Sequence, residues 1–582
     1  MNKRESGFTH RRKGIMVNKW ESPCTALTIL LSLTLLVAGA LAAGTPSPKD
    51  LKMYTANLPF AMPVIVEPAF PDRKVSIAEH GAVADGRTLN TKAFAEAIRS
   101  CAEAGGGTVV VPAGTWLTGP IKLESNVNLH LERGALIQFS SRFEDFPLIK
   151  GLDGKSKRYQ IAPPISGYRL SNIAITGEGI IDGAGEVWRP VKKDKLTARQ
   201  WGKLTASGGT VTPDGNTWWP SKEAMEGEAY LKDLEKSPKE RTVADYAMAR
   251  EFLRPNLVQL VQCNGILLDG PTFQNSPRFH VHPSQSENII VRNVKILCPW
   301  YAQNGDGLDL SSCRNAVVYN ITVDAGDDAI CIKPANIAGN QSPGPACQNI
   351  VIADCVVYHG HGGFVVGSES MGGARNIAVR NCVFIGTDVG LRFKSLRGKG
   401  GLVENIYVDS IQMRGIVNEA ILFDMYYGGG SPEEEATKET GSKSSEPVTA
   451  LTPQFQNIFI KHIICNGASR AVLINGLPEM PVRNIHMENI SISSEKGVLC
   501  VDADSITLND AVITPHAGPV FSIEQSRDVL LKKVSYPEGA EVFLTVDGEK
   551  TGGILLQGID ISRAKKGIEL GKNVRPEAVI QR

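Results

Sequence analysis

The chain has 582 residues, a formal charge of +1 and 42% hydrophobic residues, so it can bury a large core and carries no basic surplus for a nucleic-acid partner. Its 58 glycines, with little helical periodicity, fit many short strands joined by turns. This composition excludes a disordered chain and predicts an all-β one.

In chain order the first feature is an export signal over 1–43. Basic Arg11, Arg12, Lys13 and Lys19 precede an apolar run from Ala26 to Ala43 that contains the small-residue site Ala40-Leu41-Ala42. The run approaches the length of a membrane span, but its Ala/Gly-rich end favours cleavage. A secreted or periplasmic protein with no stable membrane span is expected. The charged stretch before Met16 is long for a signal, which points to Met16 as an alternative start. Residues 44–74 read as a lead-in. Asn90 is placed to cap a short helix whose apolar Phe94, Ala97, Ile98 and Cys101 fall at helical spacing before Gly105-Gly106-Gly107. That helix would plug the open end of a solenoid.

The solenoid itself is announced by a repeat. Between about 260 and 500 a unit of Asn, an alternating aliphatic run, a polar residue and another aliphatic one recurs, starting at Asn288, Asn315, Asn349, Asn376, Asn405, Asn457 and Asn484. Its seventh position reads Val294, Ile321, Cys355, Cys382, Ile411, Ile463 and Ile490, an inward stack, which makes the two cysteines small core hydrophobes. The sixth reads Asn293, Asn320, Asp354, Asn381, Ser410, His462 and Asn489, polar groups suited to a turn between strands. One coil per repeat, with an apolar period of two, predicts a parallel β-helix. Asn172 restarts the same pattern upstream. Of the eleven cysteines Cys24 falls in the signal, and the rest lack CxxC or Cys/His metal spacing, so no metal and no cofactor is expected, while some could form disulfides in an oxidising compartment.

Two segments break the rhythm. Residues 189–250 are charged and contain Trp201, Trp218 and Trp219, and read as an insertion walling a groove. Residues 428–447 read as a loop rich in Gly, Ser, Glu and Lys. The solenoid proper is expected over 75–537, with 538–582 finishing it.

Chemistry concentrates in four successive coils: Asn304-Gly305-Asp306, Gly326-Asp327-Asp328, Gly360-His361-Gly362 and Arg392-Phe393-Lys394. Neighbouring coils stack about 4.8 Å apart, so three carboxylates, an imidazole and two cations should converge on one side. Such a patch suits hydrolysis of an acidic glycoside. An inverting reaction needs a carboxylic acid and a water-activating carboxylate roughly 6.5–9.5 Å apart, a gap that adjacent or alternate coils can supply. Crowded like charges would keep one acid protonated, and Arg392 and Lys394, alternating on one strand, could hold a sugar carboxylate. Taken singly each motif has a plainer reading, a turn for GDD and a solvated strand face for the two cations.

The order NGD, GDD, GHG, RFK resembles the NTD, DD, GHG and RIK signatures of the polygalacturonases, family 28 of the glycoside hydrolases. The similarity runs from about Val75 to Pro537 and favours the bacterial branch, through EHGAVADG (Glu79 to Gly86), LTGPIKLESNVNLHLERGA (Leu117 to Ala135) and NSPRFHVHP (Asn275 to Pro283). The resemblance implies a right-handed parallel β-helix that hydrolyses α-1,4 bonds of polygalacturonate as a metal-independent monomer. It assigns Asp327 as general acid, Asp306 and Asp328 as holders of the attacking water, and His361 as the residue that tunes the acid. Arg392, Lys394 and Tyr426 would bind the galacturonate, and Asn304 would shape the water side. His282 and Arg278 read either as a neighbouring sugar subsite or as structural groups. Gly305 stands where the family has Thr, and Phe393 where it has Ile. Exo action is preferred, because the insertion could close one end of the groove. The rival readings are a calcium-dependent pectate lyase on the same solenoid, a rhamnogalacturonan hydrolase, and a silent pectin-binding solenoid.

Overall fold

The leading asparagines of the repeat adopt a left-handed backbone, with φ between 53° and 57° from Asn288 to Asn484, a region that Asn enters more cheaply than other side chains. Their amides bond from coil to coil: Asn288 donates to Asn264 at 2.8 Å, Asn349 to Asn315 at 3.1 Å, Asn376 to Asn349 at 3.2 Å and Asn484 to Asn457 at 2.6 Å. The sixth-position residues, Asn293 through Asn489, are left-handed as well, with φ between 51° and 59°. Each repeat therefore carries two fixed bends, and the strands between them pair with the coil above and the coil below. The seventh-position residues are at most 1% exposed and stack in register, Cys382 opposite Ile411, then Ile463, then Ile490.

The computed structural model describes residues 51–237, 239–335, 344–428 and 444–582, and residues Tyr54–Arg582 form one compact unit. The export signal expected over 1–43, and all but the ends of the loop expected at 428–447, lie outside the described residues. Two parallel sheets, of 23 and 14 strands, build a right-handed parallel β-helix. The smaller sheet takes one strand from each coil, among them Val281–Ser284, Leu308–Ser311, Asp328–Lys333, Gly362–Val366, Leu391–Lys394 and Glu419–Asp424. Strands continue through Val542–Asp547 and Lys566–Leu570 to Val579–Gln581.

Helix α1 (Thr91–Glu103) buries Phe94, Ala97, Ile98 and Cys101 against the first coils. Asn90 stands at its N-terminus but does not cap it. Its side chain instead accepts from Val83 N and donates to the carbonyls of Val83, Thr88 and Leu117, pinning the incoming loop to the first coil. The ten described cysteines are all buried and unpaired, so the disulfides allowed by the sequence do not form among them. Between 189 and 250 the chain leaves the solenoid for an antiparallel sheet (Val191–Lys192, Thr217–Trp219, Thr210–Val211) and helices at Ala198–Ala206, Lys222–Lys236 and Val243–Ala247. The lead-in runs along the outside: Glu67 pairs with Arg292 at 2.7 Å, Tyr54 stacks on Tyr319 at 4.2 Å and bonds Asp354 at 2.7 Å. Among the described residues no helix is long and apolar enough to cross a membrane.

The interior explains one departure from the motif. Phe393 points inward, face to face with Phe423 at 4.5 Å and edge-on to Phe364 and Phe455. Its size fills the core and leaves Arg392 and Lys394 on the outer face of the same strand. Phe393→Ala should destabilise the fold by about 3–5 kcal/mol, the usual cost of emptying a buried phenyl site. Urea unfolding of the two proteins checks this, and a loss below about 1 kcal/mol would show that the core is loosely packed here.

Candidate active site

Strand register sets the site. Asp306 lies two residues before strand Leu308–Ser311 and Asp328 opens the next, with Leu308 opposite Ile330 and Gly307 N donating to Asp328 O. Asp327 sits in the bend just before its strand, so the alternation that would send neighbouring residues to opposite faces does not apply to it. Gly326 makes that bend possible, because a Cβ there would come within 2.7 Å of Pro299 O. One oxygen each of Asp306, Asp327 and Asp328 falls within 4.8 Å of the others. The gap of roughly 6.5–9.5 Å set from the sequence for an acid and a base is therefore not present. Adjacent coils bring these side chains closer because all three leave the same end of the sheet.

Each carboxylate has a different partner. Asp306 accepts from Lys333 at 2.6 Å, and Lys333 also pairs with Asp309 at 3.0 Å. Asp328 is held by Lys394 at 2.9 Å, with Arg392 at 3.6 Å. Asp327 faces the imidazole of His361, 3.1 Å from Nδ1, and these two side chains are 18% and 15% exposed, whereas Asp306 and Asp328 are buried. The far ring nitrogen of His361 lies 3.8 Å from Asp388.

These partners sort the proton affinities. Burial drives Asp306 well above the ordinary carboxylate range against the pull of Lys333, and repulsion from Asp309, Asp327 and Asp328 adds to the rise. Burial also lifts Asp309, to about 6. For Asp328 burial is overcome by Lys394 and Arg392, and for Asp327 by the charge and hydrogen bond of His361, so both are held down.

The remaining expected residues divide. Arg392 and Lys394 share the outer face, where Val365 lies opposite Arg392 and Asp424 opposite Lys394. The aromatic ring over both cations is that of Tyr427, 4.7 Å from Lys394 Nζ and 5.4 Å from Arg392, not Tyr426. Tyr426 turns the other way, over Arg397 at 5.5 Å, because the strand ends at Asp424 and neighbouring residues still alternate there. Asn304 accepts from Arg254 at 2.8 Å rather than standing free. His282 lies beside the cluster but is committed within the protein, accepting from Asn256 at 2.9 Å and donating to Ser311 at 2.8 Å. Burial, Lys333 and Arg278 push it down to about 3, so it is neutral. Gly305 replaces the family's Thr because a Cβ would come within 3.0 Å of Ala302 and 3.2 Å of the Cys298 sulfur.

Sequence reasoning missed Lys333, Asp309 and Arg254, and preferred Tyr426 to its neighbour Tyr427. Lys333 had a signal: it lies opposite Ser311 on the coil of Asp306, a position that becomes visible only once the register is known. Three acidic groups within 4.8 Å could also share a divalent cation, but Lys333 and Lys394 already bring positive charge to two of them.

Known proteins share this architecture. The model of a family described as glycosyl hydrolases family 28 matches residues 191–508, more than half of the chain. A probable polygalacturonase of Vitis vinifera is 27% identical over 449 residues, covering 74% of this chain and 78% of that protein. An exo-poly-alpha-D-galacturonosidase of Dickeya chrysanthemi is 29% identical over 371 residues, 61% of this chain and 57% of that protein. Among solved structures, a hyperthermoactive exopolygalacturonase of Thermotoga maritima matches with a TM-score of 0.59 at 28% identity, over 77% of this chain and 91% of that one.

Asp309 offers a test of the electrostatics. A carboxyl whose folded value is raised above 3.8 contributes stability that is full below about pH 4 and is lost as pH rises through about 6. Asp309→Asn removes that loss, so its stability relative to the parent should improve by about 3 kcal/mol between roughly pH 4 and pH 7. Urea midpoints at the two pH values decide it, and a pH-independent difference would contradict the buried-carboxyl reading.

Proposed function

Because the chain belongs to glycosyl hydrolase family 28 and is a glycoside hydrolase, we propose that it hydrolyses α-1,4 bonds between galacturonate residues of polygalacturonate, from the chain end and outside the cytoplasm. The observation that carries the reading is a cluster of three carboxylates within 4.8 Å of one another, with Arg392, Lys394 and the ring of Tyr427 beside them. The two cations match a sugar carboxylate, and the tyrosine ring adds an apolar face for the sugar. The apolar segment ending at Ala43 supports export. The excursion at 189–250 supports action at a chain end, since Lys195 O holds Trp300 at 2.9 Å beside the loop that carries Asn304.

Asp327 is the acid in this reading. Among the three carboxylates it alone is paired with a group that can give up a proton, and it is the most exposed of them. Moving the proton from His361 to Asp327 leaves a neutral pair and removes the largest of the pulls on Asp327, those of Lys394 and Lys333 remaining. Asp306 and Asp328 grip the water. Asp328 stays anionic between Lys394 and Arg392, while Asp306, with its raised affinity, takes the proton once ionised. Both are pinned by buried ammonium groups, which disfavours attack by either as a nucleophile and supports single-step inversion despite the short separation. A calcium-dependent lyase would need the cation that Lys333 and Lys394 replace electrostatically.

Reducing-sugar release from polygalacturonate in the presence of a chelator tests the reading directly. Monomer or dimer as the early product supports exo action, and long oligomers would rule it out. Asp327→Asn should lose about 10²–10⁴-fold in kcat, the usual contribution of a positioned acid. Proton NMR of the nascent product reports the stereochemistry: the β-anomer first means inversion, the α-anomer first means a covalent intermediate and overturns the water-activating roles of Asp306 and Asp328.

A further inference from the structure

On the N-terminal side of the carboxylates, opposite to Arg392 and Lys394, lie two more arginines that no carboxylate neutralises. Arg254 is partly buried and bonds only neutral acceptors: Gln303 O at 2.8 Å, Asn304 Oδ1 at 2.8 Å and, at 3.5 Å, Pro277 O. Arg278 is exposed, and its guanidinium lies over the ring of Phe279 at 4.5 Å. The same ring lies 4.2 Å from Lys333 Nζ, which in turn holds Asp306. Neither arginine is ion-paired with Asp or Glu among the described residues. Both touch the turn that leads into Asp306, one through Asn304 and one through Phe279 and Lys333.

Two unneutralised guanidinium groups side by side are unfavourable in the free protein. Burial and the charges of Arg278 and Arg189 pull Arg254 down to about 9, against the attraction of Asp306 and Asp327. An arriving anion would relieve this. Phe279 supports the exposed Arg278 guanidinium, whose forked donors suit a planar carboxylate. Register places the coil of Arg278 one step before that of Asp306 and four steps before that of Arg392, through Val281–Leu308, Leu308–Ile330, Ile330–Phe364 and Phe364–Leu391. At about 4.8 Å per step these strands lie roughly 19 Å apart, with the coils of the three aspartates between them.

We propose that Arg278, seconded by Arg254, forms a second carboxylate-binding subsite, which takes an anionic sugar on the side of the scissile bond away from Arg392 and Lys394. This rests on the galacturonan reading of the active site.

The test is Arg278→Gln on trigalacturonate. KM should rise about 10–100-fold, the worth of one charge-assisted contact, with kcat changed little. Arg278→Lys should recover part of the loss, and the melting temperature should not move, since the side chain is exposed. Calorimetric titration of trigalacturonate into Asp327→Asn, with and without Arg278→Gln, should show weaker binding and a shallower dependence on salt when the arginine is gone. If KM stays within about twofold and the salt dependence is unchanged, the subsite is absent. If kcat and melting temperature fall together, Arg278 is structural and the proposal fails. A parent enzyme that leaves trigalacturonate and polygalacturonate uncut would instead overturn the functional reading, before any variant is compared.

Discussion

Parallel stacking of one coil on the next is the constraint on which everything else depends. A strand in register with its neighbour repeats the neighbour's orientation, so a residue's fate is decided by its column and not by its local sequence. A column facing inward must be apolar in every coil, as Cys382, Ile411, Ile463 and Ile490 are. A column facing outward is free to change from coil to coil, and that freedom lets Asp309, Cys331, Val365 and Arg392 succeed one another on the outer face of one sheet. The catalytic patch is built on this variable column.

The bends make the columns possible. Two left-handed positions per repeat would strain most side chains, and the chain meets them with Asn, Asp, Ser or His, whose polar groups also bond along the stack. Lead-in residues then fasten several coils from outside, with Glu67 on Arg292 and Tyr54 on Asp354. Rigidity has a use beyond stability, since carboxylates crowded within 4.8 Å repel and would drift apart on a softer frame.

Much of this was legible in the sequence because a period leaves a mark in every copy. The asparagines, the inward column and the four polar clusters all recur or fall at coil spacing. What was not legible occurs once and depends on register. Lys333 looks like an ordinary strand lysine until Ser311 and Asp306 are set beside it, and Asp309 looks like part of a turn until it is found buried against that lysine. The choice between Tyr426 and Tyr427 turns on one residue of strand ending, which no motif fixes. Asn90 shows the reverse case: a residue of the right type at a helix start was drawn instead to three backbone carbonyls across the loop. The resemblance to a family supplied roles, but it could not supply these partners.

The charges of the site explain why binding and protonation should be linked. Four carboxylates, Asp306, Asp309, Asp327 and Asp328, are paired with three cations, Lys333, Lys394 and Arg392, and with the imidazole of His361. Burial makes departure from neutrality costly. An anionic sugar drawn to Arg392 and Lys394 adds a negative charge and weakens the hold of those cations on Asp327 and Asp328. The restoring response is to keep a proton on the cluster, and Asp327, partly exposed and in contact with His361, is where that proton meets the substrate. A substrate carboxylate is thus more than a handle for recognition, because its charge favours the protonated acid that the reaction needs.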